Sequence, residues 1–252
     1  MLMNPLARLI HKFCKFWRVR RSRPYWESLR NIHLGRRGFV IGNGPSLKMT
    51  DLDQLQGEIT LAANKIYLAF DETSWRPSHF TVCDDVLWEK IRDEMVSHFP
   101  SVSSPWDYTS QPGIHHRHFQ HLPWDLEAPA DGHAFSMNVA DGLFGGFTVT
   151  YANLQIAAHM GLEPIYLLGC DHHYKGESGA EDEDLMATVT DQNHFNAAYR
   201  QVGEWVNAAP LAKMEKAFAH ARVVHDQGRV QIYNATRGGY LNIFERVGFD
   251  TL

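Results

Sequence analysis

The sequence predicts an α/β fold: a Rossmann-like, mostly parallel sheet with helices on both faces, a mobile lid loop and an N-terminal amphipathic helix. Three observations predict it. Short apolar runs such as Gly38–Ile41 and Pro164–Leu168 alternate with helical stretches, the pattern of strands buried on both faces. Three of these runs end in small polar residues (Asn43, Asn64, and Asp84 with Asp85), as strands do when their C-terminal ends line a crevice. Finally, 252 residues with 44% hydrophobic and 21% charged content supply one sizeable core.

Composition removes several classes. There is no run of about 18 apolar residues to cross a membrane as a helix. Arg8, Lys12 and Lys15 interrupt any apolar stretch that would serve as a signal peptide. Cys14, Cys83 and Cys170 are odd in number and widely spaced, which suits a reducing compartment and suggests neither a disulfide framework nor a zinc site. Charge is divided sharply along the chain. Residues 1–37 hold ten Lys and Arg against the single acid Glu27, a net +9, while the other 215 residues carry −14. An acidic body with one basic segment is not a nucleic-acid groove; it suits an arm that meets an anionic surface.

The elements follow in order. Leu2, Leu6, Leu9, Ile10, Phe13, Phe16 and Trp17 recur at spacings of three and four, with Arg8, Lys12, Lys15 and Arg18 between them. This is a basic amphipathic helix. It either lies in a membrane interface or packs its apolar face on its own domain or a second subunit. Residues 1–34 are assigned to this arm and 35–252 to one nucleotide-binding domain. Gly38–Ile41, Glu58–Ala62 and His79–Cys83 read as strands and Asp84–Phe99 as a helix. Residues 100–147, rich in Pro, Gly, Ser and His, resist assignment. Thr148–Met160 reads as a helix closed by Gly161 at its C′ position, and Pro164–Leu168 as a strand stopped by Gly169. The polar, acidic stretch 172–193 (Glu177, Glu181, Asp182, Glu183, Asp184) is the lid. A helical stretch from about His194 to Ala221, broken near Pro210, precedes a last strand at Arg229–Tyr233.

The sharpest chemical signal is Gly42-Asn43-Gly44-Pro45-Ser46-Leu47 after the first strand of the sheet. Glycines there let backbone N–H groups approach a phosphate or ribose. Leu47 stands where a dinucleotide fingerprint needs its third glycine, Asn64 where it needs an acid, and no Gly-Lys-Ser/Thr follows. A nucleotide site of another kind is expected, unless the loop is a plain tight turn. Asp84 and Asp85 are either crevice residues or caps of the following helix. Of fifteen histidines, His115, His116, His118 and His121 lack a matching Cys or Glu pattern for a metal. His172 and His173 follow Gly169-Cys170-Asp171 at a strand end. His194, just after the acidic loop, is a candidate general base because an imidazole titrates near neutrality.

Taken together, Asn43-Gly44-Pro45-Ser46-Leu47, Asn64, Asp84, Thr148-Val149-Thr150-Tyr151 and Ile165–Asp171 resemble the bacterial lipo-oligosaccharide sialyltransferases. They equally resemble the wider group of flagellin nonulosonate-transfer factors and archaeal 6-hydroxymethylpterin diphosphokinase (MptE-like) proteins. The Asn234-Ala235-Thr236-Arg237-Gly238-Gly239 run is similar to that wider group. The likeness spans about residues 37–200.

The sialyltransferase resemblance implies a Rossmann-like sheet that binds a CMP-activated sugar without a required metal or other cofactor. It implies nucleotide contacts at Gly42, Asn43, Gly44, Pro45, Ser46, Asn64, Asp84, Thr148, Val149, Thr150, Gly169 and Asp171. It implies His194 as base and a leaving phosphate steadied by His173 or Tyr174. Asp84 stands where those enzymes carry asparagine, Gly146 where they carry arginine, and 175–193 contains no second tyrosine.

The expectation is therefore a glycosyltransferase that moves a sugar, such as a nonulosonate, from a nucleotide donor to a surface glycolipid or polysaccharide. It would be cytoplasmic and peripheral on the inner face of the cytoplasmic membrane, would bind no nucleic acid, and would allow a homo-oligomer. One alternative is an MptE-like pyrophosphokinase that uses ATP, with Mg²⁺ on Asp84 and Asp85. A second is a non-catalytic nucleotide-binding protein.

Overall fold

A computed structural model describes residues 5–105, 111–123, 132–177 and 184–252, with the side chains of the first helix from Phe16 onward. The sheet has seven strands, all parallel: β1 (Gly38–Ile41), β2 (Ile59–Ala63), β3 (His79–Thr81), β4 (Ser101–Pro105), β5 (His115–Phe119), β6 (Ile165–Leu168) and, last in the chain, Ile232–Asn234. A separate two-stranded antiparallel hairpin pairs β7 (Asp184–Met186) with β8 (Trp205–Asn207), so the last sheet strand is β9. The sheet order is β5-β4-β3-β2-β1-β6-β9. The chain thus runs outward from β1 to one edge, then returns to place β6 on the other side of β1.

Strand alternation divides the interior into two layers. Val40, Leu61, Ile165 and Leu167 point into a core shared with helices α4 (Val149–His159) and α5 (Leu211–Asp226) and with the end of α1 (Pro5–Leu29). Phe39, Ile41, Ala62 and Leu168 point the other way, into a core with α2 (Met49–Gln54) and α3 (Asp85–His98). All four residues of β1 are buried, which is why its sequence is continuously apolar. α4 ends as expected: Gly161, at φ +77°, donates to Ala158 O, and Leu162 donates to Ala157 O, the two bonds of a Schellman cap.

Packing explains the C-terminal half of the basic helix. Trp26 is buried and donates from Nε1 to His118 O at 2.9 Å, while Ser22 Oγ accepts from His118 N at 2.9 Å. These bonds lay α1 against β5, covering what would otherwise be an open sheet edge. Earlier in the helix Phe16 and Trp17 are 56% and 47% exposed. The side chains of Leu2, Leu6, Leu9, Ile10 and Phe13 lie outside the described residues.

Several sequence readings change: the last strand is Ile232–Asn234 rather than Arg229–Tyr233, and the lid contains strand β7. The unassigned stretch 100–147 supplies β4 and β5. β5 reads His115-His116-Arg117-His118-Phe119, a polar strand because it is the edge that α1 covers. The stretch beginning at His194 is not helical before Leu211. Asp191 Oδ1 accepts from Asn193 N at 2.8 Å and Asn196 Oδ1 from Ala198 N at 2.9 Å, two local turns that compete with a helix. Part of the acidic lid, residues 178–183 with Glu181, Asp182 and Glu183, lies outside the described residues.

Trp26→Ala should cost about 3–5 kcal/mol, the range for emptying a large aromatic site, and should release the β5 edge. Urea unfolding of the variant checks this; a loss under 1 kcal/mol would show that α1 does not hold the edge.

Candidate active site

The turn-back of the chain between β1 and β6 opens a crevice at the C-terminal ends of the strands, where open α/β sheets take their ligands. The cleft has a volume of about 870 Å³. It gathers Gly42, Asn43 and Gly44 from β1, Asn64 from β2, and Asp84 from the end of β3. Thr148, Val149 and Thr150 come from the start of α4, and Gly169, Asp171, His173 and Tyr174 follow β6. His194 completes the set. Pro45 and Ser46 do not line it. Of the histidine run 115–121, only His121 reaches it. Among the described residues, no group of three or more His, Cys, Asp or Glu is placed to hold a metal ion.

The glycine loop has a different physical reason from the one its sequence suggests. A methyl on Gly44 would lie 1.9 Å from Asp171 Oδ2, and one on Gly42 would lie 2.3 Å from Gly169 O. These glycines let the β1 and β6 turns touch. The loop's N–H groups are largely spent on that contact. Gly44 N donates to Gly169 O at 2.9 Å, and Ser46 donates to Asp171 Oδ2 from Oγ at 2.8 Å and from N at 3.4 Å. A phosphate cradle of backbone amides at Asn43–Ser46 is therefore not what the loop offers. Burial raises the Asp171 carboxyl pKa, against the pull of the Ser46 bonds. The Asn234–Gly239 run props the same turn, with Thr236 Oγ1 accepting from Cys170 N at 3.1 Å. Arg237 points away from the cleft to Asp51 and Asp250.

The floor presents acceptors. Asn43 donates from Nδ2 to Ala63 O at 3.0 Å and to Tyr199 Oη at 3.3 Å, leaving Oδ1 buried without a partner. Asn64 Oδ1 is buried and unpartnered as well, on a residue held at φ +56°. Phe147 and His172 also have left-handed backbone, at +58° and +54°, and all three line the cleft. Such strain costs energy and persists where surrounding structure enforces it. Asp84 Oδ1 caps α3 by accepting from Leu87 N at 2.8 Å, and Asp85 Oδ1 accepts from Val86 N at 2.9 Å, so both serve the helix start.

Across the cleft, His194 is set by three contacts. Its Nδ1 lies 2.8 Å from Asp191 Oδ2, its ring stacks on Tyr199 with centroids 3.7 Å apart, and Tyr174 meets it edge-on. Burial lowers the His194 pKa below its ordinary value, partly opposed by Asp191. Burial, the largest single influence, pushes the Asp191 carboxyl up, but the bond and charge of His194, the Asn193 N–H and the Arg200 charge together outweigh it and hold the carboxyl below the usual range. At neutral pH the pair is thus a carboxylate accepting from neutral imidazole Nδ1–H. Nε2, without a protein partner among the described residues, keeps its lone pair. Burial pushes the Tyr174 hydroxyl up to about 12, so it remains a donor.

Sequence reasoning missed Tyr199, Asp191, Lys65 and Arg200. Lys65 Nζ donates to Tyr199 O at 2.5 Å, and Arg200 pairs with the buried Glu177. Asp191-x-x-His194 was visible as a spacing. Tyr199 lies five residues beyond His194, outside the lid where a second tyrosine was sought.

No protein-family profile matches the chain, and no curated protein matches it. A solved structure does. The chain is similar in fold to the MAf glycosyltransferase from Magnetospirillum magneticum AMB-1, with a TM-score of 0.56 and 14% identity. The match covers 96% of this chain and 39% of that one. It shows a shared fold, which in this chain is an α/β architecture with a seven-stranded parallel sheet. No family profile or curated protein carries the sialyltransferase or MptE-like likeness.

Gly44→Ala should lower the melting temperature or prevent soluble folding before any ligand is added, because the methyl displaces Asp171. A thermal melt decides it; a fully stable variant would mean that the β1–β6 contact can relax.

Proposed function

We propose that this protein is a glycosyltransferase acting from a nucleotide-activated sugar. The observation that carries the reading is His194: neutral, oriented through Nδ1 by Asp191, stacked on Tyr199, and part of the wall of a switch-point cleft. In this mechanism Nε2 takes the proton of an acceptor hydroxyl. The acceptor oxygen bonds to the anomeric carbon as the bond from that carbon to the donor phosphate breaks, and the phosphate leaves with the electron pair. Asp191 stabilises the imidazolium that forms. The phosphate is met by the positive N-terminal end of α4 at Thr148–Thr150 and by the Tyr174 hydroxyl, rather than by the glycine loop. The unpartnered Asn43 and Asn64 oxygens suit hydroxyl or amino groups of the donor.

The donor in this reading is a CMP-type sugar such as a nonulosonate, and the acceptor a surface glycolipid or polysaccharide. The glycosyltransferase fold neighbour and the sequence likeness support the transferase class. The pyrophosphokinase alternative would place Mg²⁺ on Asp84 and Asp85. Each of these has an oxygen engaged at the start of α3, and no third ligand joins them among the described residues. The basic helix then serves a membrane-bound acceptor. The exposed Phe16 and Trp17, in a segment of net +9, suit an anionic lipid surface at about 1 kcal/mol per cation near it.

His194→Ala should lower turnover roughly 10²–10⁴-fold with donor affinity little changed. Because the base works unprotonated and burial lowers its pKa, the acid limb of the wild-type rate should lie below that of an ordinary imidazole. Asp191→Asn removes the charge that raises this pKa and should move the acid limb lower still. An unaltered pH profile in His194→Ala would place the base elsewhere. Stabilisation by CMP over UDP, GDP and ATP in a thermal-shift series checks the donor class, and insensitivity to EDTA separates transferase from kinase.

For the membrane, deletion of residues 1–17, which spares the packed Ser22–Leu29 segment, should abolish binding to anionic liposomes. Binding of the intact chain should weaken as salt rises. Retained binding in the truncated protein would remove the lipid role.

A further inference from the structure

One wall of the cleft is unused by the chemistry above. In the β7–β8 hairpin Asp184 lies opposite Asn207 and Met186 opposite Trp205. Directly opposed residues share a face, so these four side chains stand together while Leu185 and Val206 turn to the other side. The four are exposed, Trp205 at 58% and Met186 at 48%. Asp184, Trp205 and Asn207 line the same cleft as His194, and Val206 borders it from the hairpin's other face. Neither Asp184 nor Asn207 has a side-chain partner among the described residues.

The platform is held in place. Lys90 Nζ donates to Trp205 O at 3.1 Å and pairs with Glu204 at 2.9 Å. Ala187 N donates to Glu204 O at 2.9 Å, and Gly203 N returns to Ala187 O at 2.7 Å. Lys65, which holds the Tyr199 backbone beside His194, lies 3.9 Å from Glu204. The exposed indole is therefore tied to the segment that carries the base.

We propose that this face is the acceptor subsite: a pyranose ring stacks its C–H face on Trp205 while Asp184 and Asn207 hydrogen-bond its hydroxyls. The proposal rests on the glycosyl-transfer reading for the word acceptor, but the saccharide contact is testable by itself. A flat apolar surface beside a carboxylate and an amide matches a neutral polyhydroxylated ring, which has an apolar face and a hydroxyl rim. Trp205 and Asn207, two residues apart on one strand face, are separated by about 7 Å, near the width of one sugar ring. A lipid chain would leave Asp184 and Asn207 unused, and an anionic partner would meet the Asp184 charge.

The test is saturation-transfer NMR on the full chain with maltose, lactose and chitobiose at millimolar concentration, alongside thermal shift with CMP. Saturation of pyranose C–H protons is expected for at least one disaccharide, lost in Trp205→Ala and retained in Trp205→Phe. Asp184→Asn and Asn207→Ala should each weaken it, by roughly tenfold. Stabilisation by CMP should be the same in all four variants. Binding of none of the three sugars, or equal binding by Trp205→Ala, overturns the proposal. Loss of the CMP effect in Trp205→Ala overturns it too, by marking the indole as a base contact, as does a shift from oligomer to monomer, which marks an interface between copies. Sugar binding by a protein that no nucleotide stabilises would remove the transferase reading and leave the saccharide face standing.

Discussion

The contact between the turns after β1 and β6 governs the rest of the molecule. Gly44 N reaches Gly169 O, Ser46 grips the Asp171 carboxylate, and no side chain fits between them. Because the chain reverses its direction of travel across the sheet at this point, the strands on either side diverge above the contact and leave a crevice. The C-terminal segment closes the arrangement from behind, with Tyr240 N donating to Asp171 O at 2.7 Å. The glycines thus build the floor of the crevice, and other residues supply the side chains that face into it.

The second dependence is of His194 on a buried carboxylate. Glu177 accepts from Arg200, from Asn193 Nδ2 at 3.3 Å and from Ala209 N at 3.1 Å. Asn193 in turn exchanges bonds with Lys175 in both directions. One acid therefore ties the stretch carrying His194 and Tyr199 to the approach of α5. Asparagine and aspartate turns shape this stretch locally, and the ion pair locates it globally. Neither acts through apolar burial, so its position depends on polar bonds in partly dry surroundings, where each counts for more than in water.

The parts legible in the sequence were those set by apolar burial. β1 was read to the residue and β6 to within one, because strands buried on both faces must be continuously apolar. The Thr148 start and Gly161 stop of α4 were legible because caps are local chemistry. β5 was not, since its histidines reflect a covering helix nearly a hundred residues earlier. The glycine loop was found, but its partner was not. Its spacing shows that side chains are excluded and cannot show that Asp171, 127 residues on from Gly44, excludes them. Lys65 and Tyr199 were missed for the same reason: their pairing exists only once β2 and the segment after the lid meet.

Fold likeness at 14% identity carries architecture, and function must come from the site. The site separates its tasks by polarity. The floor offers unpartnered oxygens at Asn43 and Asn64, which can only receive hydrogens, and so favours hydroxyl-rich or amino-bearing groups over bare anions. The start of α4 supplies the complementary positive helix end, which the proposed transfer assigns to a phosphate. His194 stands on the opposite side with its charge suppressed by burial, so it can gain a proton without first losing one. In the proposed transfer, a group that leaves as an anion toward α4 and a hydroxyl that loses its proton toward His194 move charge in opposite directions across the same cleft. Each half of the site stabilises the change at its own side, and this opposed polarity is what a displacement between two bound substrates requires.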